Sequence, residues 1–300
     1  MVEAALTRPV VEKPFTVAGR SMAACYWQAE QPKQSPILAL HGWLDNANSF
    51  QPLAQQLPDY SILSLDLAGH GQSEGRSEDS GYNLWQDVWE VLDVIEQMGW
   101  QKVNLMGHSR GAMIAVLLSA VAPQVVDKLV LIDGLVPLPI PEADAPRQLA
   151  QAIADRHKYR SYHRRRHRTE EDALKVRMKG TFPLNRESAA LFAERGLSQD
   201  QDGFYWLADP RLQAASDSKY SEAQLRAFIE QVSAPVILFL GSEQMDIKER
   251  LFASFWQQIK TCQKWVLEGG HHLHMEGAQS AIAKHLKVFF NSQESGDGSC

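Results

Sequence analysis

Cysteine is scarce in this chain, basic charge is not in excess, and no apolar run reaches the length of a membrane span. Only Cys25, Cys262 and Cys300 occur, far apart and with no CxxC pair, so no framework of disulfides is expected. Lys and Arg number 30 against 36 Asp and Glu, a formal net charge of −6. That acidic balance argues against a dedicated nucleic-acid binder. The longest uncharged apolar stretch, 111–126, has 16 residues and contains Pro123, whereas a spanning helix needs about 20. The opening Met1-Val2-Glu3 lacks the basic start and apolar run of a secretory signal, so the cytoplasm is the expected compartment. No internal repeat and no long low-complexity block is present. What is there has ordinary globular composition, 44% hydrophobic and 22% charged over 300 residues. Such a chain suits one large domain, or a core domain with an insertion.

Short apolar runs predict strands at 21–27, 36–40, 61–65, 102–106, 128–132, 235–240 and 264–267. Between Tyr82 and Met98 the apolar residues Leu84, Val88, Val91, Leu92, Ile95 and Met98 fall at helical spacing. Ala112–Val121 is apolar on every side, which predicts a buried helix. Strands alternating with helices predict an α/β fold, a mainly parallel, doubly wound sheet covered on both faces. The alternation stops between about Leu135 and Ser233, where the chain is polar and rich in helix formers. The expected organisation is therefore a core of 1–134 and 234–291, a helical cap inserted at 135–233, and a disordered Gly/Ser/acidic tail at 292–300.

Gly107-His108-Ser109-Arg110-Gly111 matches G-x-S-x-G, with an apolar strand running in and an apolar helix leaving. Nucleophilic chemistry needs that context. The serine must sit on a strained turn with its hydroxyl exposed, and small neighbours let strand and helix pack closely. The helix N-terminus then aims unpaired N–H groups at a developing oxyanion.

On these residues the sequence resembles the α/β-hydrolase superfamily. His41-Gly42-Trp43, after the strand at 36–40, is similar to its oxyanion-hole segment, and Asp66-Leu67-Ala68-Gly69-His70-Gly71-Gln72-Ser73 to its D-x-x-G-x-G-x-S turn. Within it, His41-Gly42-Trp43-Leu44-Asp45-Asn46, Asp209-Pro210-Arg211-Leu212 and His271-His272-Leu273-His274-Met275 resemble the serine hydrolase-like subgroup. The resemblance implies an oxyanion hole made by the backbone N–H groups of Arg110 and Trp43, each worth roughly 3 kcal/mol. The Arg110 side chain is then free to form a structural ion pair, and the Trp43 ring to line the acyl pocket or simply to pack.

The resemblance also implies a general base on the histidine directly after Glu268-Gly269-Gly270, which is His271, with His272 and His274 as nearby rivals. A neutral imidazole must take the serine proton, so activity is expected to fall below roughly pH 6 to 7. Three histidines within four residues also suggest a metal site, but their spacing is not the i, i+4 of helical zinc ligands and no metal is expected. For the acid that orients the base, Asp133 at the end of the strand 128–132 is the first candidate. Asp246 and Glu243 in the loop after the next strand follow it. The position where many superfamily members carry the acid is Gln244 here.

The segment 157–168 carries six Lys/Arg and no acid. A solvated helical face is the plain reading, with an anionic substrate such as an acyl-CoA, or a nucleic acid, as the alternatives. These residues together predict a serine hydrolase, a carboxylesterase acting on a small-molecule ester or related acyl bond, with no cofactor. Thioesterase, lactonase and carbon–carbon bond hydrolase are close alternatives. A catalytically silent binding protein on the same fold is the alternative from another class. Phe182, Phe204, Tyr205 and Trp206 suggest an apolar substrate pocket.

Overall fold

In the computed structural model, which describes residues 8–32, 34–160, 162 and 164–292, the chain begins with β1 (Val11–Val17), β2 (Arg20–Trp27), β3 (Ile37–Leu40), α1 (Gln51–Gln55) and β4 (Ile62–Leu65). It continues through α2 (Leu84–Gln97), β5 (Val103–His108), α3 (Arg110–Val121) and β6 (Val126–Ile132). Next come α4 (Ala145–Arg160), α5 (Glu170–Met178), α6 (Arg186–Gly196), a hairpin of β7 (Leu197–Asp200) and β8 (Gly203–Trp206), and α7 (Glu222–Glu230). It closes with β9 (Val236–Gly241), α8 (Met245–Trp256), β10 (Cys262–Leu267) and α9 (Gln279–Asn291). Of the tail expected at 292–300, residues 293–300, Cys300 among them, lie outside the described residues.

Among the described residues, eight strands form one sheet in the order β1-β2-β4-β3-β5-β6-β9-β10. The pairs β1–β2 and β2–β4 are antiparallel and the others parallel. The central strands are buried on both faces, which is why they read as unbroken apolar runs. Their side chains alternate between two cores. Leu38, Leu40, Leu105, Leu129, Leu131 and Leu238 face α2, α3, α7 and α8, whereas Ile37, Ala39, Val130, Ile132, Ile237 and Phe239 face α1 and α9. The sheet is thus doubly wound. α3 lies against its centre with Ala112, Ile114, Ala115, Val116 and Leu118 all fully buried. No helix among the described residues is long and apolar enough to cross a membrane.

Three features depart from the sequence reading. β1 was not anticipated: it is an edge strand, paired only with β2, with Val11, Glu12 and Thr16 exposed. The insertion between β6 and β9 is not purely helical, because Phe204, Tyr205 and Trp206 belong to β8. The boundary at 233 would put α7 in the insertion. Leu225 and Ile229 of α7 instead bury in the core cluster beside α3, so α7 is part of the sheet's covering layer.

Candidate active site

Ser109 lies between β5 and α3 with φ 51° and ψ −113°. This region disfavours side chains other than glycine, and the surroundings hold it there. Ser109 N–H donates to the Ile132 carbonyl at 2.9 Å, and the N–H groups of Ala112 and Met113 both donate to the Ser109 carbonyl. Gly111 lets α3 approach: a Cβ on it would lie 1.9 Å from the Leu40 carbonyl oxygen. Leu44 and Asp133 also have positive φ, 61° and 45°. Of the five non-glycine residues in that state among the described residues, these three therefore gather in one region.

His271, in the segment after β10, and Asp133, at the end of β6, come together at the carboxyl edge of the sheet. His271 Nδ1 donates to Asp133 Oδ2 at 2.7 Å, which leaves the lone pair on Nε2. The other carboxylate oxygen, Oδ1, accepts from the Gly241 N–H at 2.9 Å and lies 2.6 Å from Lys248 Nζ. Burial pushes the Asp133 carboxyl up, but these hydrogen bonds outweigh it and hold the group below the ordinary carboxylate range. The rival acids make no such pair. Glu243 and Asp246 are exposed, with no hydrogen bond or ion pair to His271 among the described residues; the Glu243 carboxylate lies beside Gly270, and Asp246 sits in the first turn of α8.

Burial pushes the His271 imidazole down to about 4, against the pull of Asp133 and aided by the neighbouring His108 and His272. That corrects the pH expectation. The sequence reading took the ordinary imidazole value, and the environment keeps His271 neutral well below it. The Phe182 ring stacks on His271 with centroids 3.9 Å apart, adding to its separation from water.

Ser109, His271 and Trp43 line one cavity of about 420 Å³. The amides of Trp43 and Arg110 donate to no backbone or side-chain acceptor among the described residues, as two oxyanion donors require. The Arg110 side chain is a partly buried structural pair, its Nη2 2.5 Å from Asp87 Oδ2. Trp43 both lines the cavity and packs, its indole donating to the Leu212 carbonyl at 2.9 Å. Of the anticipated aromatics, Phe182 and Trp206 line the cavity. Phe204 and Tyr205 are not among its lining residues: Phe204 pairs with His167 through backbone hydrogen bonds, and the Tyr205 ring lies beneath Arg166.

The motif residues around the site brace it. His41 is buried and uses both nitrogens in the neutral form: Nδ1 donates to the Gly42 carbonyl at 2.8 Å, and Nε2 accepts from Leu67 N–H at 3.0 Å. Burial accordingly pushes His41 down to about 4. Asp66 of the D-x-x-G-x-G-x-S turn accepts from Ala47 N–H, Gln72 N–H and Arg195 Nε at 2.7–2.8 Å. Gly71, at φ 51°, would put a Cβ 2.3 Å from that carboxyl group.

Asp45 is a residue whose role the sequence reading missed. It is buried, its Oδ1 lies 2.5 Å from Arg177 Nη2, and His108 and His272 each approach it to 3.4 Å. His108 Nε2 in turn donates to the His271 carbonyl at 2.9 Å. Although burial pushes Asp45 up, His272, His108 and Arg177 hold it well below the usual carboxylate range. Among the described residues, Asp45, His108 and His272 bring donor atoms within 4.8 Å of one another. Arg177 already supplies a positive charge to this carboxylate. His272 thus faces Asp45, and His274 is fully buried against Phe50 and His108. Only the placement of Asp45 in the HGWLDN segment hinted at it; its partners lie 63 to 227 residues away.

Comparison with known proteins agrees with this fold. A family described as alpha/beta hydrolase fold matches residues 35–278. A serine hydrolase-like protein of Danio rerio is 30% identical over 275 residues, spanning 86% of this chain and 82% of that protein. Among solved structures, the hypothetical protein PA1622 from Pseudomonas aeruginosa PAO1 superposes with a TM-score of 0.88 at 35% identity, over 94% of this chain and 99% of the other. A thioesterase domain from the curacin biosynthetic pathway superposes at 0.78 with 23% identity, over 93% of this chain and 99% of that domain, a likeness of fold alone.

Proposed function

We propose that this chain, which belongs to the alpha/beta hydrolase family, is a hydrolase that cleaves a carboxylic ester or related acyl bond through an acyl-enzyme on Ser109. The observation that carries this reading is the 2.7 Å hydrogen bond from His271 Nδ1 to Asp133, with His271 in the wall of the cavity that Ser109 also lines. Asp133 fixes the tautomer, so His271 Nε2 faces the reaction as an acceptor. Ser109 Oγ attacks the carbonyl carbon while His271 takes its proton. The amides of Trp43 and Arg110 stabilise the oxyanion. The imidazolium then gives that proton to the leaving group. Water, deprotonated by His271, releases the acid and restores Ser109.

In this reading the insertion is a cap. α5, the hairpin β7–β8 and the residues beside them supply Arg177, Phe182 and Trp206 to the cavity wall, and Arg177 ties the cap to the loop bearing Trp43 through Asp45. The test is a panel of p-nitrophenyl esters of graded acyl length. Turnover by the wild type that disappears in S109A supports the proposal. Equal, residual rates in both proteins overturn it.

A further inference from the structure

The cavity holding Ser109 is unbalanced in charge. Two carboxylates line it, Asp45 and Asp209. Both are matched: Asp45 by Arg177 at 2.5 Å, Asp209 by Arg211 at 2.6 Å and by the Tyr82 hydroxyl at 2.7 Å. Two arginines of the same wall, Arg164 and Arg165, have no carboxylate in ion-pair reach among the described residues. They are exposed at the rim, yet the backbone that carries them is fixed. Arg164 Nη2 donates to the Leu207 carbonyl at 3.1 Å, and the Arg164 carbonyl accepts from Arg166 Nη1 at 3.1 Å. Arg166 is itself bound to Asp200 at 2.6 Å and lies over the Tyr205 ring. His167 exchanges two backbone hydrogen bonds with Phe204, at 2.8 and 2.9 Å.

Arg164 also lines a second cavity of about 540 Å³, which meets the first at Tyr162, Arg164, Asp209 and Pro210. In that outer space Arg156, Arg166 and Arg211 are paired with Asp217, Asp200 and Asp209, and Glu78 and Asp202 add negative charge. The uncompensated positive charge therefore sits at the junction, on the side of Ser109.

We propose that Arg164 and Arg165 bind an anionic group, a carboxylate or a phosphate, carried by the substrate at the end remote from the scissile bond. The inference rests on acyl hydrolysis at Ser109 and names the class of substrate for it. Guanidinium groups suit both anions because their planar N–H pairs match two oxygens at once. Exposed contacts of this kind are modest and weaken with salt.

Two substrate pairs test it and separate the two anions. Mono-p-nitrophenyl adipate and p-nitrophenyl hexanoate differ by a carboxylate on the acyl chain. Butanoyl-CoA and butanoyl-N-acetylcysteamine share the reacting thioester and differ by phosphates on the leaving thiol. The wild type is expected to favour the anionic member of one pair by about tenfold in kcat/KM at low salt. That ratio should shrink several-fold towards 0.3 M NaCl, and R165E and R164E/R165E should abolish or invert it. R165Q, which removes charge without reversing it, should give an intermediate ratio. Hydrolysis of hexanoate with neither pair discriminated, or discrimination untouched by R164E/R165E in a protein of unchanged melting behaviour, overturns the inference and leaves hydrolysis standing. Failure to hydrolyse any of the four, with Ser109 unreactive to acylating agents, overturns hydrolysis and the inference together.

Discussion

An imidazole serves as a base only while it is neutral, and burial decides where that holds for His271. Its value is pushed down to about 4, so the acid limb of kcat/KM is expected near pH 4 rather than near the ordinary imidazole value of about 6.5. The sign is fixed: activity is lost as pH falls through the value, because the proton occupies the nitrogen that must accept one. A pH–rate profile with its acid limb above pH 6 would mean that His271 is far more hydrated than its stacking on Phe182 implies. Asp133 makes a second prediction at this scale. D133N should lower kcat by about 10⁴-fold through loss of the correct tautomer, whereas D246N, on an exposed turn, should stay within a few-fold. Steady-state kinetics on one ester compare the two. The positions of Ser109 and His271 in the proposed site were legible because a pattern of glycines marks both segments. The choice of Asp133 over Asp246 was only a ranking, since a carboxylate's partner 138 residues away is set by folding. Asp45 was legible only as part of a motif, and its partners were hidden for the same reason.

Elements were readable where burial leaves a uniform mark. β3, β4, β5, β6 and β9 are buried on both faces and stand out as apolar runs. β1 alternates, contains Pro14 and lies at an edge, so its sequence resembles a loop. The hairpin β7–β8 was hidden because Leu197-Ser198-Gln199-Asp200 is polar and only half-buried. The elements of the insertion are also tied to the core by buried charge. Arg195 of α6, 4% exposed, bonds Asp66 at 2.7 Å and Glu12 at 2.5 Å. R195M should therefore leave the fully buried Asp66 without its cation and cost about 3–5 kcal/mol. Urea unfolding of both proteins measures it, and a difference below about 1 kcal/mol would show that Asp66 is satisfied by its amide partners alone.

The whole molecule carries an unusual load of buried, neutral histidine. Burial pushes His41, His70 and His271 to about 4, and His274 well below the ordinary value. The unfolded chain would protonate all of them near pH 6.5, so it binds more protons than the native state between pH 6.5 and 4, and stability must fall as pH drops through that window. Each such group contributes up to about 1.4 kcal/mol per pH unit. The depressed carboxyls of Asp45 and Asp133 add to the loss in strong acid. Asp66 and Glu90, raised by burial, oppose it in part. Thermal melts should show Tm declining steadily from pH 6.5 to 4.5; a flat Tm over that range would mean that these histidines are hydrated in the native state.

The central claim is that the Ser109 hydroxyl is a working nucleophile. Incubating native protein with a fluorophosphonate and mapping the mass adduct tests it most directly. Native protein is expected to gain one adduct per chain, on Ser109, absent from S109A and much slower to form in D133N. Folded protein that gains no adduct, or gains it on another residue, would contradict it.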